Sequence, residues 1–469
     1  MWTSEQVLAL SPNAVAVKRG KALAITSKWA LLGASAQVVW GECYGSGKTP
    51  YRTIIDLSEP AFRCSCPSRQ VPCKHALGLF LLWTEQATFS QGEPPEWVVK
   101  WLELRSRQRV STSSERPLSE KTLPEGSAAA NNPDAQAAQA AQAQKRFEKR
   151  TANVEAGLVD LEQWLLDLIC RGLADLPNEP YRFWDQAAAR LVDAQAPGLA
   201  RRVRALAGIP HSGSGWPERM LKALGQLYVL VQSYRQLDTL DPMMRSQILT
   251  QIGFTQKQED LLQRSRQSDS QSDSDVSMLE DTWQVLGKFV TEEDALKTQR
   301  VWLWGRQHQK AALVLSFAHG RRQVLDNSLV PGMSFRGQLV FYPGTGVQRA
   351  FVVSRQEATE EDWGTLGTER IEESIAQYAH ALLANPWQVD YPLILRQIFL
   401  RYDASCWWLQ DAQGHVLPIA KDFSQGWTLL AMSGGRPLSL FGEWNGTSLL
   451  PLSVWSEKKF MALHNSEVR

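Results

Sequence analysis

The sequence predicts an α+β multidomain chain: an N-terminal α/β module, a central all-α helical domain and a C-terminal β-rich domain, with disordered linkers between them. Three observations carry this. Cysteine and histidine are bunched between Cys64 and His75, flanked by strand-like and helix-like runs. From about Lys145 to Arg264 apolar residues recur at helical spacing. Beyond Asp275 the pattern changes to short β-like runs separated by Gly- and Pro-rich turns. The boundaries that follow are 1–105 for the module, 106–145 for a linker, 146–263 for the helical domain, 264–276 for a Ser/Asp-rich linker and 277–469 for the β-rich domain. A chain of 469 residues is long for one domain, and about two or three are expected.

In the first module, Thr3 and Gln6 ahead of Val7, Leu8 and Leu10 form a capping-box pattern, so residues 1–35 read as two short helices. Ser11-Pro12 suits the start of the second, and Gly20 its end. Gln37–Trp40 and Tyr51–Leu57 read as strands, Phe62–Cys64 as a third, and Lys74–Gln86 and Glu96–Leu104 as helices. Gly41–Thr49 resembles a phosphate-binding loop only superficially. Five residues separate Gly41 from Gly47 where that motif has four, and Pro50 with a β-rich run follows instead of a helix. A turn between strands accounts for it better.

Cys64, Cys66, Cys73 and His75 stand as two matched pairs, C-x-C and C-x-H, separated by six residues. Thiolate and imidazole are the ligands Zn²⁺ prefers, and four of them complete a tetrahedral site. On an extended segment Cys64 and Cys66 share a face and can grip one ion. Cys73 and His75, turned about 200° apart on a helix, cannot share a helical face, so one belongs to the turn before the helix and the other to its first turn. Buried thiols or a disulfide would not explain the pairing. With four protein ligands, one Zn²⁺ per chain has no open position for substrate, and the site is structural.

The spacing C-x-C-x₆-C-x-H is similar to that of the SWIM-type zinc finger. The flanks Val39–Gly47, Cys64–Arg69 and Pro72–His75 resemble those of its bacterial full-length relatives, as do Leu191–Ala200 and Gly442–Gly446. The resemblance implies a zinc module that binds DNA or protein. It also implies a genetic neighbourhood with a MoxR-type ATPase and a von Willebrand A-type protein.

Overall charge is +1, which gives no electrostatic case for nucleic acid. Locally, however, Lys18, Arg19, Lys21, Lys28, Lys48, Arg52, Arg63, Arg69 and Lys74 face only Glu42, Asp56 and Glu59 between Lys18 and His75. Lys18, Arg19, Lys21, Arg52, Arg69 and Lys74 are the candidate contacts for nucleic acid or a partner; a solvated basic face is the alternative. Cys43, Cys170 and Cys406 lie far apart and are expected to be buried small hydrophobes. No apolar run reaches the roughly 18 residues of a membrane span. No signal-peptide pattern opens the chain, so a cytoplasmic protein without membrane partners is expected.

The 106–145 stretch, Ser/Thr/Arg/Pro-rich and then Ala/Gln-rich, has few large apolar residues to bury. In the helical domain Val154, Leu158, Leu161, Leu165 and Leu168 form one face, and further helices are expected over 182–195, 199–207, 217–237 and 242–251. In the last domain β-like runs are expected over 301–304, 312–317, 337–342, 350–354, 399–402, 407–409, 427–432 and 438–442, with a helix near 369–383. Glu292, Glu293 and Asp294 read as acids at a helix start. His211 is expected to be exposed. His308, His319, His380 and His415 have no ligand spacing, and no nucleophile motif is present. No catalytic residue, small-molecule substrate or second cofactor is identified. The expectation is a non-enzymatic adaptor with protein partners, the alternative a DNA- or RNA-binding zinc protein.

Overall fold

The computed structural model describes residues 2–11, 14–45, 49–57, 61–68, 70–85, 89–113, 133–267, 276–293, 296–319, 325–357, 366–404, 406–456 and 459–463. The N-terminal module begins with α1 (Ser4–Ala9) and α2 (Ala14–Lys21). The Thr3 side chain accepts from the Gln6 N–H and the Gln6 side chain from the Thr3 N–H, closing the capping box. Where two helices were expected to fill residues 1–35, the chain turns instead into β1 (Trp29–Ala34). Then follow β2 (Val38–Cys43), β3 (Tyr51–Asp56), β4 (Ala61–Cys64), α3 (Lys74–Thr84), β5 (Ser90–Gln91) and α4 (Glu96–Ser113). The strands form one sheet in the order β4-β3-β2-β1-β5.

Adjacent residues on these strands point to opposite faces, and both faces are covered. Val39, Cys43 and Ile55 pack with Val7, Leu10 and the apolar residues of α3. Val38, Trp40 and Ile54 pack with Val98 and the half-buried Trp97 and Trp101 of α4. Helices α2 and α3 meet at two glycines. A Cβ on Gly20 would lie 2.8 Å from Leu77 Cβ, and one on Gly78 2.8 Å from Leu23 Cβ. The module is not self-contained: Val330, Met333 and Ala462 from the C-terminal domain join its core.

The helical domain comprises α5 (Pro133–Arg171), α6 (Tyr181–Asp193), α7 (Pro197–Leu206), α8 (Trp216–Arg235), α9 (Pro242–Ile252) and α10 (Gln258–Gln267). The predicted stripe Val154, Leu158, Leu161, Leu165 and Leu168 is buried against Trp184, Leu199, Leu227 and Ile248. Helices α4 and α5 enter the 106–145 stretch from its two ends, and residues 114–132 lie outside the described ones.

Among the described residues the β-rich domain holds two sheets. Strands β6 (Met278–Glu293), β7 (Leu296–Gly305), β8 (Lys310–His319), β9 (Ser334–Phe341) and β10 (Gln348–Glu357) close into a barrel in the order β10-β8-β7-β6-β9. After α11 (Ile371–Ala384) come β11 (Tyr391–Asp403), β12 (Cys406–Gln410), β13 (Val416–Pro418), α12 (Gly426–Ser433), β14 (Leu438–Trp444), β15 (Leu449–Ser456) and β16 (Lys459–Ala462). These strands form a six-stranded sheet, β13-β12-β11-β14-β15-β16. Barrel and sheet share a core of Leu286, Phe289, Trp302, Ile394, Phe441, Leu452 and Trp455.

Several expectations are corrected. Residues 427–432 are helical, not a strand: Leu429 faces the core and Gly434, at φ +57°, ends the helix in the left-handed region glycine favours. Glu292 and Glu293 end strand β6, where Glu292 pairs across the hairpin with Lys297 at 3.0 Å; they start no helix. Cys43 is buried as expected, but Cys170 is exposed on α5 and Cys406 is only half-buried.

Candidate metal centre

The site is built where a strand end meets a helix start. Strand β4 delivers Cys64 on its last residue, with Cys66 two residues on in the turn. Cys73 is the N-cap of α3, in extended conformation at φ −77° and ψ 169°, and His75 lies in the first turn. This is the division between turn and helix that the C-x-H spacing requires. His75 is 4% exposed and Cys73 also 4%, while Cys64 and Cys66 are half-buried.

One donor atom from each of Cys64, Cys66, Cys73 and His75 lies within 4.8 Å of all the others. The His75 Nδ1 is 3.7 Å from Cys64 Sγ and 4.0 Å from Cys73 Sγ. A tetrahedron with metal–sulfur bonds of about 2.3 Å has edges of about 3.8 Å, so the spacing and the donor set both fit one Zn²⁺. The four residues are placed to hold one structural zinc.

Electrostatics within the quartet are those of ligands crowded together. The contact with Cys64, aided by His75 and the Ala76 N–H and opposed by burial, holds the Cys73 thiol down at about 4. The same contact with Cys73, together with burial, pushes Cys64 up, and burial also raises Cys66. A bound cation would override the rise at Cys64 and Cys66 by favouring thiolate on all three.

Two supporting residues were not picked out from the sequence. Thr53, fully buried, sets its hydroxyl 3.3 Å from Cys64 Sγ, positioned to donate to a thiolate. Tyr51 lays its ring 4.9 Å from that of His75. Their signal is register: β3 pairs with β4 so that Thr53 stands opposite Cys64. Second partners of this kind orient metal ligands.

The predicted contact residues are carried by three elements, α2, β3 and the start of α3. Lys18, Arg19 and Lys21 are exposed on α2, and Lys74 is exposed at the start of α3, which packs against it. Arg52 is on β3, bound to Glu42 at 3.0 Å and stacked 5.4 Å over Trp97. Arg69 and Lys48 lie outside the described residues. His211 is exposed as expected. His308 and His415 are instead taken up by single aspartates, Asp281 at 2.9 Å and Asp411 at 3.2 Å.

Residues 57–83 match the SWIM zinc finger family, and residues 149–252 match the SWIM-associated four-helix bundle domain. No curated protein and no solved structure matches the chain significantly. The chain thus carries both parts, the finger within the N-terminal sheet module and the bundle across α5 to α9.

Proposed function

We propose that the chain is a non-enzymatic adaptor, with the zinc finger as a folded docking module and the bundle and β-rich body as further surfaces for protein partners. The observation that carries this reading is the closure of the metal centre. Cys64, Cys66, Cys73 and His75 supply four donors, which leaves a tetrahedral ion no position for water or substrate. The zinc then contributes folding energy and shape. A partner of the MoxR-type ATPase and von Willebrand A class is what the family resemblance implies, and reduced thiols suit the cytoplasm. Among the described residues no helix is long and apolar enough to cross a membrane.

A second reading, binding of DNA or RNA, is favoured by the exposed Lys18, Arg19, Lys21 and Lys74 on two packed helices, the second of which carries His75. One titration separates the two. Zinc-loaded protein is titrated against fluorescent single- and double-stranded DNA at low and moderate salt. The adaptor reading expects no binding at low salt and a co-purifying partner that resists nuclease. Binding that falls steeply with salt and is lost on changing Lys18 and Arg19 would establish the nucleic-acid reading instead.

A further inference from the structure

The bundle and the barrel touch along α9. There the Gln247 side chain accepts from the Thr345 N–H, in the turn between β9 and β10, at 3.1 Å. Gln251, one helical turn further along α9, accepts from Arg202 of α7, which also reaches the Trp387 carbonyl at 3.5 Å. From the barrel side comes Arg349 of β10, its guanidinium 4.7 Å over the ring of Tyr342. Arg201 stands exposed next to Arg202 on α7.

Three observations set this group of arginines apart. First, Arg201 acts on both of the others, so the three charges lie together. Burial and then Arg201 push Arg202 down to about 10. Burial also lowers Arg349, with Tyr342 opposing the fall and Arg201 adding to it. Second, among the described residues no carboxylate pairs with Arg201, Arg202 or Arg349. Arg204, on the same helix, is by contrast bonded to Asp185 at 2.8 Å. Third, the Arg349 Nε is buried with no acceptor. Like charges gathered in a half-buried place are costly, and so is a buried donor left open; an anion relieves both.

We infer that Arg201, Arg202 and Arg349 bind a phosphate-type oxyanion at the junction of bundle and barrel. Guanidinium groups take phosphate oxygens in paired, planar hydrogen bonds. Arg202 is preset for this by Gln251 and the Trp387 carbonyl, and Arg349 by the Tyr342 ring. Arg201 keeps the cluster open to solvent. Three positive charges match a dianionic phosphate better than a single carboxylate. Neither the zinc nor a protein partner is needed for this.

The test is isothermal titration calorimetry of the full zinc-loaded chain with inorganic phosphate, in chloride buffer at constant ionic strength. Wild type is expected to bind phosphate saturably. Arg201→Gln and Arg349→Gln should each weaken binding about tenfold or more. Arg201→Gln, at an exposed position, should do so with zinc content and phosphate-free melting temperature unchanged. Glycerol 2-phosphate binding more tightly than inorganic phosphate would identify a phosphate ester as the ligand, and binding more weakly a free phosphate. No saturable binding, or equal affinity in wild type and both variants, would overturn the proposal. So would binding of a single-stranded oligonucleotide without binding of phosphate, which would assign the arginines to a nucleic-acid strand.

Discussion

Arg300 on the barrel, half-buried, donates to the buried Glu443 on the six-stranded sheet at 2.6 Å, an ion pair across the seam between the two. The other Glu443 oxygen accepts from Trp302 Nε1 at 2.6 Å, and Arg300 also reaches Asp390 at 2.7 Å. Burial pushes the Glu443 carboxyl up to about 7, against the pull of Arg300 and with a further push from Asp390. A carboxyl raised above its ordinary 4.5 binds more protons folded than unfolded, so its contribution to stability declines as pH rises from that value toward 7. Denaturant unfolding across that window should show the decline in wild type, and Glu443→Gln should remove it. Glu443→Ala, which leaves Trp302 without its acceptor and Arg300 with Asp390 alone, should cost about 3 kcal/mol.

Cys73→Ser should lower zinc from one per chain to none, measured by metal analysis of purified protein. Metal binding and folding are coupled in sites of this size. Near-ultraviolet signals from Trp29 and Trp40 should therefore broaden, while the α5 to α9 bundle keeps its helical signal. Retention of a full complement of zinc by a Cys64/Cys66 double variant would refute the ligand set.

Gly198 is the second residue of α7, where that helix meets the end of α9. A Cβ there would lie 2.2 Å from the Gln251 carbonyl oxygen. Gly198→Ala must push the two helices apart, at a cost of about 1–3 kcal/mol. Chemical denaturation should show the bundle transition shifted to lower denaturant, with zinc content unchanged.

Asp411 is 2% exposed and accepts from the backbone N–H groups of Ile371, Gln413 and His415. Burial works to raise its pKa, but these N–H groups and the His415 ring outweigh it and hold the carboxyl below its ordinary range. Its contribution is therefore present above the usual carboxylate pKa and lost as pH falls below it. Asp411→Ala should lower the melting temperature at neutral pH by removing acceptors from three N–H groups, and flatten the acid limb of the stability curve.

The metal quartet was legible because its chemistry is local: two short spacings force one ligand pair onto a strand end and the other onto a helix start. Helices of the bundle were legible for the same reason, since Val154 to Leu168 repeat at the helical period. What the sequence did not reveal depends on partners distant in the chain. Thr53 comes beside Cys64 only through the β3–β4 register, and Glu443 acquires its meaning from Arg300 and Trp302 on another sheet. The segment Leu191–Ala200 read as a family signature without a role; its Pro197 starts α7 and its Gly198 allows α9 to approach. Trp427 and Thr428 favour strand, but Leu429 to Met432 are strong helix formers, and Leu429 packs into the sheet core from the helix they form.

Strand β16 places Ala462 against the core that holds Val7 and Leu10. A ribosome delivers Val7 long before Ala462. During translation the finger thus waits with part of its apolar face bare until β16 has been made and can cover it. The order of manufacture leaves a module made early to be sealed by a strand made late.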